Sequence, residues 1–535
     1  MQKRPNVLVI MTDEERYPPV YENEDIARFR REQLPGQQAL RARSVEFHRH
    51  YAASSACVPS RASLFTGHYP TLHGVSATDG AAKSAHDPDM RWLDANTVPT
   101  MGHYFRAAGY RTFYHGKWHV THADLATPDT RTSLFSNDKT GQCIEPTTTL
   151  YKNANRLDPY GFDGWIGPDP HGTAQENCGL LRDPLYADQV IARLEALEAS
   201  TDETPWLLVA PFVNPHDIVL FGLLWRSWGY AFDDDTVPQI PEPPTQDESL
   251  RSKPDCQADY VKKYGSVFLP QPQIPVYRRF YYYLHKLVDK EIQRVYQRLL
   301  DSRFRENTIV LYTSDHGDML GAHGGMHQKW HNAYEETIRV PLLLSVPGLE
   351  PGRQIHQPTS HVDILPTLLG LAGIDTEAAR KTLDTTHTEA QPLVGQDLSR
   401  YLQAGNIPDE PIYFLTEDEV SEGLDQTTAI GRSYEAVEEP AKVEAIVTRL
   451  DAGSGTKLWK YARSFTQSLI GDPNDKPEGR DKSEYELYDL DADPIETNNL
   501  AHLGNRSQES RAAEKLLESM LDDVRQRKAL HPQRR

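Results

Sequence analysis

Several short stretches of the 535-residue chain bring chemically capable side chains together. The densest is Cys57-Val58-Pro59-Ser60-Arg61, which runs on into a helix-like Ala62-Ser63-Leu64-Phe65-Thr66-Gly67. A residue at a helix start faces free backbone N–H groups and the positive end of the helix dipole, a setting that favours anionic chemistry. Arg61, four residues on, falls one turn further along, close to the same spot. An ordinary cysteine is a small buried hydrophobe; one placed here reads as a nucleophile in an anion site. Asp13-Glu14 and Asp315-His316 form two further clusters. Oxygen-rich sets of this kind suit Ca²⁺ or Mg²⁺, and an imidazole among them favours Mn²⁺. Lys117 and His119 stand in Gly-Lys-Trp-His, and His216 in Asn-Pro-His-Asp. Histidine titrates near neutrality, so His119 and His216 are the acid–base candidates.

Something must hold these groups together. Apolar runs at 6–11, 111–115, 206–213 and 308–312 each lead directly into one of the clusters. Continuous runs of this length read as strands buried on both faces, the pattern of a parallel sheet with helical crossovers. Ligands of such sheets collect beyond the carboxyl ends of the strands, where all four runs deliver Asp, Glu, Lys or His. Helical spacing at 100–108, 180–197 and 364–371 supplies crossovers. The expected fold is therefore α/β, a mixed and mostly parallel sheet sandwiched by helices. Pro, Asp and Gln dominate 233–276, which reads as a long surface excursion. Beyond about residue 385 a smaller α+β unit is expected, with strands near 411–415, 445–449 and 457–465 and a helix over 510–530. The division is thus a catalytic domain over 1–385 and a subdomain of antiparallel sheet and helix over 386–535.

Composition bounds the function. The hydrophobic fraction of 38% excludes a disordered chain. The net charge of −20 argues against a nucleic-acid binder, which needs a basic face, although one basic pocket can sit in an acidic body. Cys57, Cys143, Cys178 and Cys256 are too scattered for a disulfide scaffold or a paired-cysteine metal site. The first apolar run is too short for a signal peptide, and no stretch approaches the ~20 apolar residues of a membrane span. A cytoplasmic protein acting away from membranes is expected.

Cys57-Val58-Pro59-Ser60-Arg61 with its Ala-Ser-Leu-Phe-Thr-Gly continuation resembles the C-x-P-S-R modification motif of type I sulfatases, in the alkaline phosphatase-like superfamily. Pro5 to Asp13, Gly116-Lys117-Trp118-His119, Asn214-Pro215-His216, Ser314-Asp315-His316-Gly317 and Lys329 with Tyr334-Glu335-Glu336 resemble further blocks in the same order. Leu487-Tyr488-Asp489-Leu490 and Asp493-Pro494 are similar to the late signature. The resemblance implies that a maturation enzyme converts Cys57 to Cα-formylglycine, whose hydrate attacks a sulfate ester. It implies a metal held by Asp13, Glu14, residue 57, Asp315 and His316, and sulfate gripped by Lys117, Lys329 and His216. His216 would protonate the leaving oxygen and His119 would deprotonate the hemiacetal. Asp315 would help to activate the hydrate and Arg61 would hold it. His68, His73 and His361 read as structural.

Two departures matter. Glu14 stands where the family usually has Asp or an amide, and His316 where many arylsulfatases have Asn. Asp315-His316 is also similar to choline sulfatases and to phosphonate monoester or phosphodiester hydrolases. The expected activity is hydrolysis of small sulfate monoesters, aryl sulfates first, with Ca²⁺ or Mn²⁺. A phosphonate or phosphodiester hydrolase is the alternative, and a non-catalytic anion-binding homologue a third reading. The aromatic segment 221–232 either lines the leaving-group pocket or packs onto the body. A homo-oligomer is compatible with the sequence.

Overall fold

The computed structural model describes residues 4–268, 275–402, 407–428, 430–471 and 482–533. Twelve strands lie among them: β1 Asn6–Asp13, β2 Val45–Tyr51, β3 Arg111–Tyr114, β4 Trp206–Pro215, β5 Thr308–Ser314, β6 Arg339–Ser345, β7 Gln354–Ile355, β8 Thr359–Ser360, β9 Ile412–Thr416, β10 Lys442–Asp451, β11 Thr456–Phe465 and β12 Ser483–Asp489. An eight-stranded sheet has the order β3-β4-β1-β5-β6-β2-β7, with β8 also paired to β2. β3, β4, β1 and β5 run parallel, β6 runs antiparallel to β5, and β2 turns back against β6. The sheet is therefore mixed and mostly parallel, as the apolar runs predict.

The central strands are apolar on both faces because both faces are covered. Along β1, Val7, Val9 and Met11 enter one core with the helices Cys57–Thr66, Met101–Ala107 and Ile364–Leu371. Leu8 and Ile10 enter the opposite core with the helices Gly179–Ala199 and Pro275–Leu300. Successive side chains of a strand point to opposite faces, so one uninterrupted run fills two cores.

The second sheet is antiparallel, in the order β12-β11-β10-β9. The helix Gln508–Lys528 covers one face through Ala513, Leu517, Leu521 and Val524. The other face, with Phe414, Val443, Ala445 and Leu458, packs on Tyr260, Met319, Trp330 and Tyr334 of the larger unit.

One expectation needs correction. The stretch 233–276 is not merely a surface excursion, because it carries the helix Asp255–Val267, whose Cys256, Tyr260 and Tyr264 are buried. Tyrosine reads as semi-polar in a hydropathy scan, yet at four-residue spacing its rings fill a core. Part of that stretch, 269–274, lies outside the described residues.

Candidate functional site

Because β1, β2, β3, β4 and β5 point the same way, the segments that follow them gather at one edge of the sheet. β1 ends at Asp13, and Glu14 turns away with φ of 69°. After β2 comes the helix Cys57–Thr66, with Cys57 as its first residue and Arg61 one turn on, both buried. The segment after β3 crosses so close to β4 that a Cβ at Gly116 would meet Pro211 O at 2.0 Å, so only glycine fits. Gly317, after β5, is equally confined: a Cβ there would meet Glu336 O at 2.0 Å.

Charges interlock at this edge. Arg61 donates from Nε to Asp315 Oδ2 at 2.8 Å, from Nη2 to Asp13 Oδ2 at 2.9 Å, and from Nη1 to Lys117 O at 2.8 Å. The backbone N–H groups of Glu14 and His316 donate to Asp315 Oδ1 at 3.1 and 2.9 Å. Cys57 Sγ lies 3.1 Å from His316 Nε2 and 3.7 Å from Asp13 Oδ1. Burial pushes the Asp13 carboxyl up, but Lys117, His216 and Arg61 together hold it well below the usual carboxylate range. Burial and then Asp13 push Asp315 up to about 7. Burial and Asp13 also raise the Cys57 thiol far above its usual range.

Asp13, Cys57, Asp315 and His316 each offer a donor atom, all within 4.8 Å of one another. Two buried carboxylates this close repel, and among the described residues Glu14 Oε1 is a buried atom without a hydrogen-bond partner. A divalent cation would answer both, so the donor set fits one. Glu14 Oε2 itself faces Lys329 Nζ at 3.1 Å and His216 Nε2 at 3.9 Å. Burial drives Glu14 well above its usual range, with Asp318 pushing the same way against the pull of Lys329.

A cavity of about 420 Å³ opens above Cys57. Its walls include the polar side chains of Cys57, His119, His216 and Lys329, and the apolar ones of Leu220, Leu224, Val267, Phe268, Trp330 and Val420. Lys117 does not line it: its Nζ lies beneath, 2.7 Å from Asp13 Oδ2. The segment 221–232 divides accordingly. Leu224 reaches the cavity, while Phe221 and Trp225 pack on Phe280, with ring centroids 5.3 and 4.9 Å away. His73 contacts Ser63 at 3.1 Å, His361 contacts Ser314 O at 3.0 Å, and neither lines the cavity, nor does His68.

Sequence reasoning passed over Asp79, Asp169, His171 and Asp318. Asp318 is fully buried beside Glu14. Asp169 accepts the backbone N–H groups of Trp118 and His119 at 2.7 and 2.9 Å, holding His119 at a left-handed φ of 49°. Asp79 meets the His119 ring at 2.7 Å. The Pro168-Asp169-Pro170-His171 stretch, with Asp169 between two prolines and His171 directly after them, is a local signal for that pair.

Comparison with known proteins agrees with this edge-of-sheet architecture. The family model described as Sulfatase matches residues 5–374. The chain is 27% identical over 508 residues to a choline-sulfatase of Rhizobium meliloti, covering 93% of this chain and 82% of that protein. It is 25% identical over 421 residues to human (Homo sapiens) iduronate 2-sulfatase, covering 70% and 71% of the two chains. The structure of a phosphonate monoester hydrolase from Silicibacter pomeroyi shares the fold, with a TM-score of 0.62 at 21% identity over 98% of this chain and 96% of that one. No helix among the described residues is long and apolar enough to cross a membrane. With the match spanning the β1 edge, the Cys57 helix and the β5 edge, the chain belongs to the sulfatase family of sulfuric ester hydrolases.

Proposed function

We propose that the protein hydrolyses small sulfate monoesters, aryl sulfates foremost, with residue 57 acting as formylglycine after maturation by a separate enzyme. The observation that carries this reading is the position of Cys57. It stands on the floor of the cavity with His316 Nε2 at 3.1 Å behind it and Lys329, His119 and His216 on the surrounding wall. Here the thiol stands in for the oxygens of the matured side chain. The bound cation, Ca²⁺ or Mn²⁺, would supply positive charge to a sulfate oxygen and acidify the attacking hydroxyl. Asp13, Asp315 and His316 would hold it, with residue 57 and Glu14 completing the set.

The chain's own groups divide the remaining work. Lys329 offers its ammonium at the cavity wall, where charge develops on the ester oxygens. Lys117 acts from below by balancing Asp13. His216 borders both the cavity and Glu14, so it can hand a proton to a leaving oxygen. His119, which also lines the cavity, takes a proton from residue 57, and Arg61 orients Asp315 and Asp13 around that residue. The apolar wall accommodates an aryl group and excludes water from the ester. The division at about residue 385 belongs to the same reading, with the smaller unit contributing Val420 to the wall.

Mass spectrometry of tryptic peptide 50–61, from protein made beside a formylglycine-generating enzyme, tests the proposal. An aldehyde or its hydrate is expected at residue 57, and an intact thiol would sink it. The imidazole of His316 favours a second reading, a phosphonate monoester or phosphodiester hydrolase. A kcat/KM higher for an aryl phosphonate than for an aryl sulfate would favour that reading.

A further inference from the structure

Three acidic and two imidazole side chains form a chain of contacts beside the proposed site, with His119, Asp124 and Asp169 buried and Asp79 and His171 partly so. Asp79 spans two rings with separate oxygens: Oδ1 lies 2.7 Å from His119 Nε2, and Oδ2 lies 2.9 Å from His171 Nδ1. Behind His171, Nε2 stands 3.7 Å from Asp124 Oδ2. Asp124 Oδ1 accepts the Asp169 N–H at 2.8 Å, and the Asp169 carboxylate grips the backbone of His119. The loop thereby closes on itself, with His119 held by its ring through Asp79 and by its backbone through Asp169. The Trp92 ring lies 6.1 Å from that of His119 and 6.2 Å from that of His171.

The charge states within this loop follow from its contacts. Burial opposes a charged His171, but Asp79, Asp124 and Asp169 overcome it and raise its pKa to about 10. Burial also penalises Asp79, yet His171 and His119 hold its carboxyl well below the usual range. Burial takes His119 down to about 3, against Asp79 and with Lys117 and His171 pushing the same way. At neutral pH the loop therefore holds an imidazolium at 171, a carboxylate at 79 and a neutral ring at 119. An ionised carboxylate only accepts hydrogen bonds, so the neutral His119 must carry its proton on Nε2. Its Nδ1 is then a free base, and among the described residues that buried atom has no hydrogen-bond partner.

We propose that Asp79, backed by His171, is a positioning residue that locks His119 in the tautomer whose unprotonated Nδ1 serves the cavity. This inference rests on the proposed function, in which His119 accepts a proton from residue 57. His171 keeps Asp79 ionised without drawing on the charges around Cys57, so the base is tuned from outside the metal site.

The test uses full-length protein matured by the formylglycine-generating enzyme, with turnover of an aryl sulfate expressed per mole of aldehyde in peptide 50–61. An amide at position 79 offers one oxygen and one NH₂ group, so one of the two rings loses its acceptor. Asp79→Asn is expected to lower kcat on the order of 10²-fold, the lower range for a lost acid–base contribution. KM should stay within about three-fold, and Asp79→Glu should recover part of the loss. His171→Gln should lower kcat less and change the pH profile of kcat. A kcat for Asp79→Asn within about two-fold of wild type overturns the proposal. So does ¹⁵N NMR of histidine-labelled wild-type protein if His119 carries its proton on Nδ1. The NMR readout does not need turnover. A wild-type protein that ignores aryl sulfates would defeat the proposed substrate, while the tautomer measurement still decides this inference.

Discussion

Lys117 Nζ lies 2.7 Å from Asp13 Oδ2, and both side chains are fully buried. Arg61 Nη2 donates to the same oxygen at 2.9 Å. A carboxylate at the end of β1 is therefore balanced by cations brought from the end of β3 and from the Cys57 helix. The buried site carries its own counter-ions.

Arg61→Ala should be strongly destabilising. It leaves Asp13 and Asp315 facing each other without their shared guanidinium, and uncompensated buried charge costs ~3–5 kcal/mol. Guanidinium unfolding of metal-free protein measures this. Arg61→Lys should recover only part, since a point charge does not bridge two carboxylates as a fork does. A loss below ~1 kcal/mol for Arg61→Ala would show that the pairing is dispensable.

The two site lysines should behave differently. Lys329 lines the cavity, so Lys329→Ala should cut kcat/KM for an aryl sulfate on the order of 10²–10³-fold, the range for one lost charge-stabilising donor. Lys117 lies beneath, so Lys117→Ala should first lower thermal stability and alter metal affinity. Similar kinetic and stability profiles for the two variants would contradict this division.

Alkaline pH should weaken the folded state through His171. Its folded pKa of about 10 lies above the unfolded value of 6.5, so the proton is bound more tightly in the native state. The linked stability is complete below pH 6.5 and disappears as pH rises through 10. At ~1.4 kcal/mol for each tenfold gain in proton affinity, this amounts to a few kcal/mol. Unfolding free energies compared at pH 6.5 and pH 10 check it, and His171→Gln should flatten the difference. An equally steep decline in that variant would assign the effect to other groups.

Chelation should abolish turnover and lower the melting temperature, because it returns two repelling carboxylates to a buried space. With an imidazole in the donor set, Mn²⁺ should restore activity better than Ca²⁺ at equal concentration. Full recovery with Ca²⁺ alone would show that the His316 nitrogen does not set the preference.

Leu224→Trp should fill part of the apolar lining of the cavity. For an aryl sulfate, KM should rise at least ~10-fold, within the range for altered apolar fit, while a methyl sulfate should be little affected. Unchanged KM for the aryl ester would place the leaving group elsewhere.

Much of the fold is legible in the chain itself. Continuous apolar runs announce β1, β3, β4 and β5, because a strand covered on both faces has no polar side to show. β2, β6 and β12 are less legible: β2 carries Glu46, His48 and Arg49 with an irregularity in its pairing between Phe47 and His50, and β12 interleaves Glu484 and Glu486. The long helix Pro275–Leu300 follows directly on a proline-rich stretch that masks its start.

Within the site, Cys57, Arg61, Asp13, Asp315 and His316 stand out because each sits in a dense local motif or directly after a strand. By itself, then, the sequence determined which side chains share an edge, since a parallel sheet puts every strand's carboxyl end on one side. Only the tertiary structure decided which of them face the cavity and which face each other. It set Lys117 beneath Asp13 and Lys329 on the wall, and it brought Asp79 to His119 across 40 residues of chain. Such pairings depend on where separate loops fold back over the sheet, and no local spacing encodes that distance.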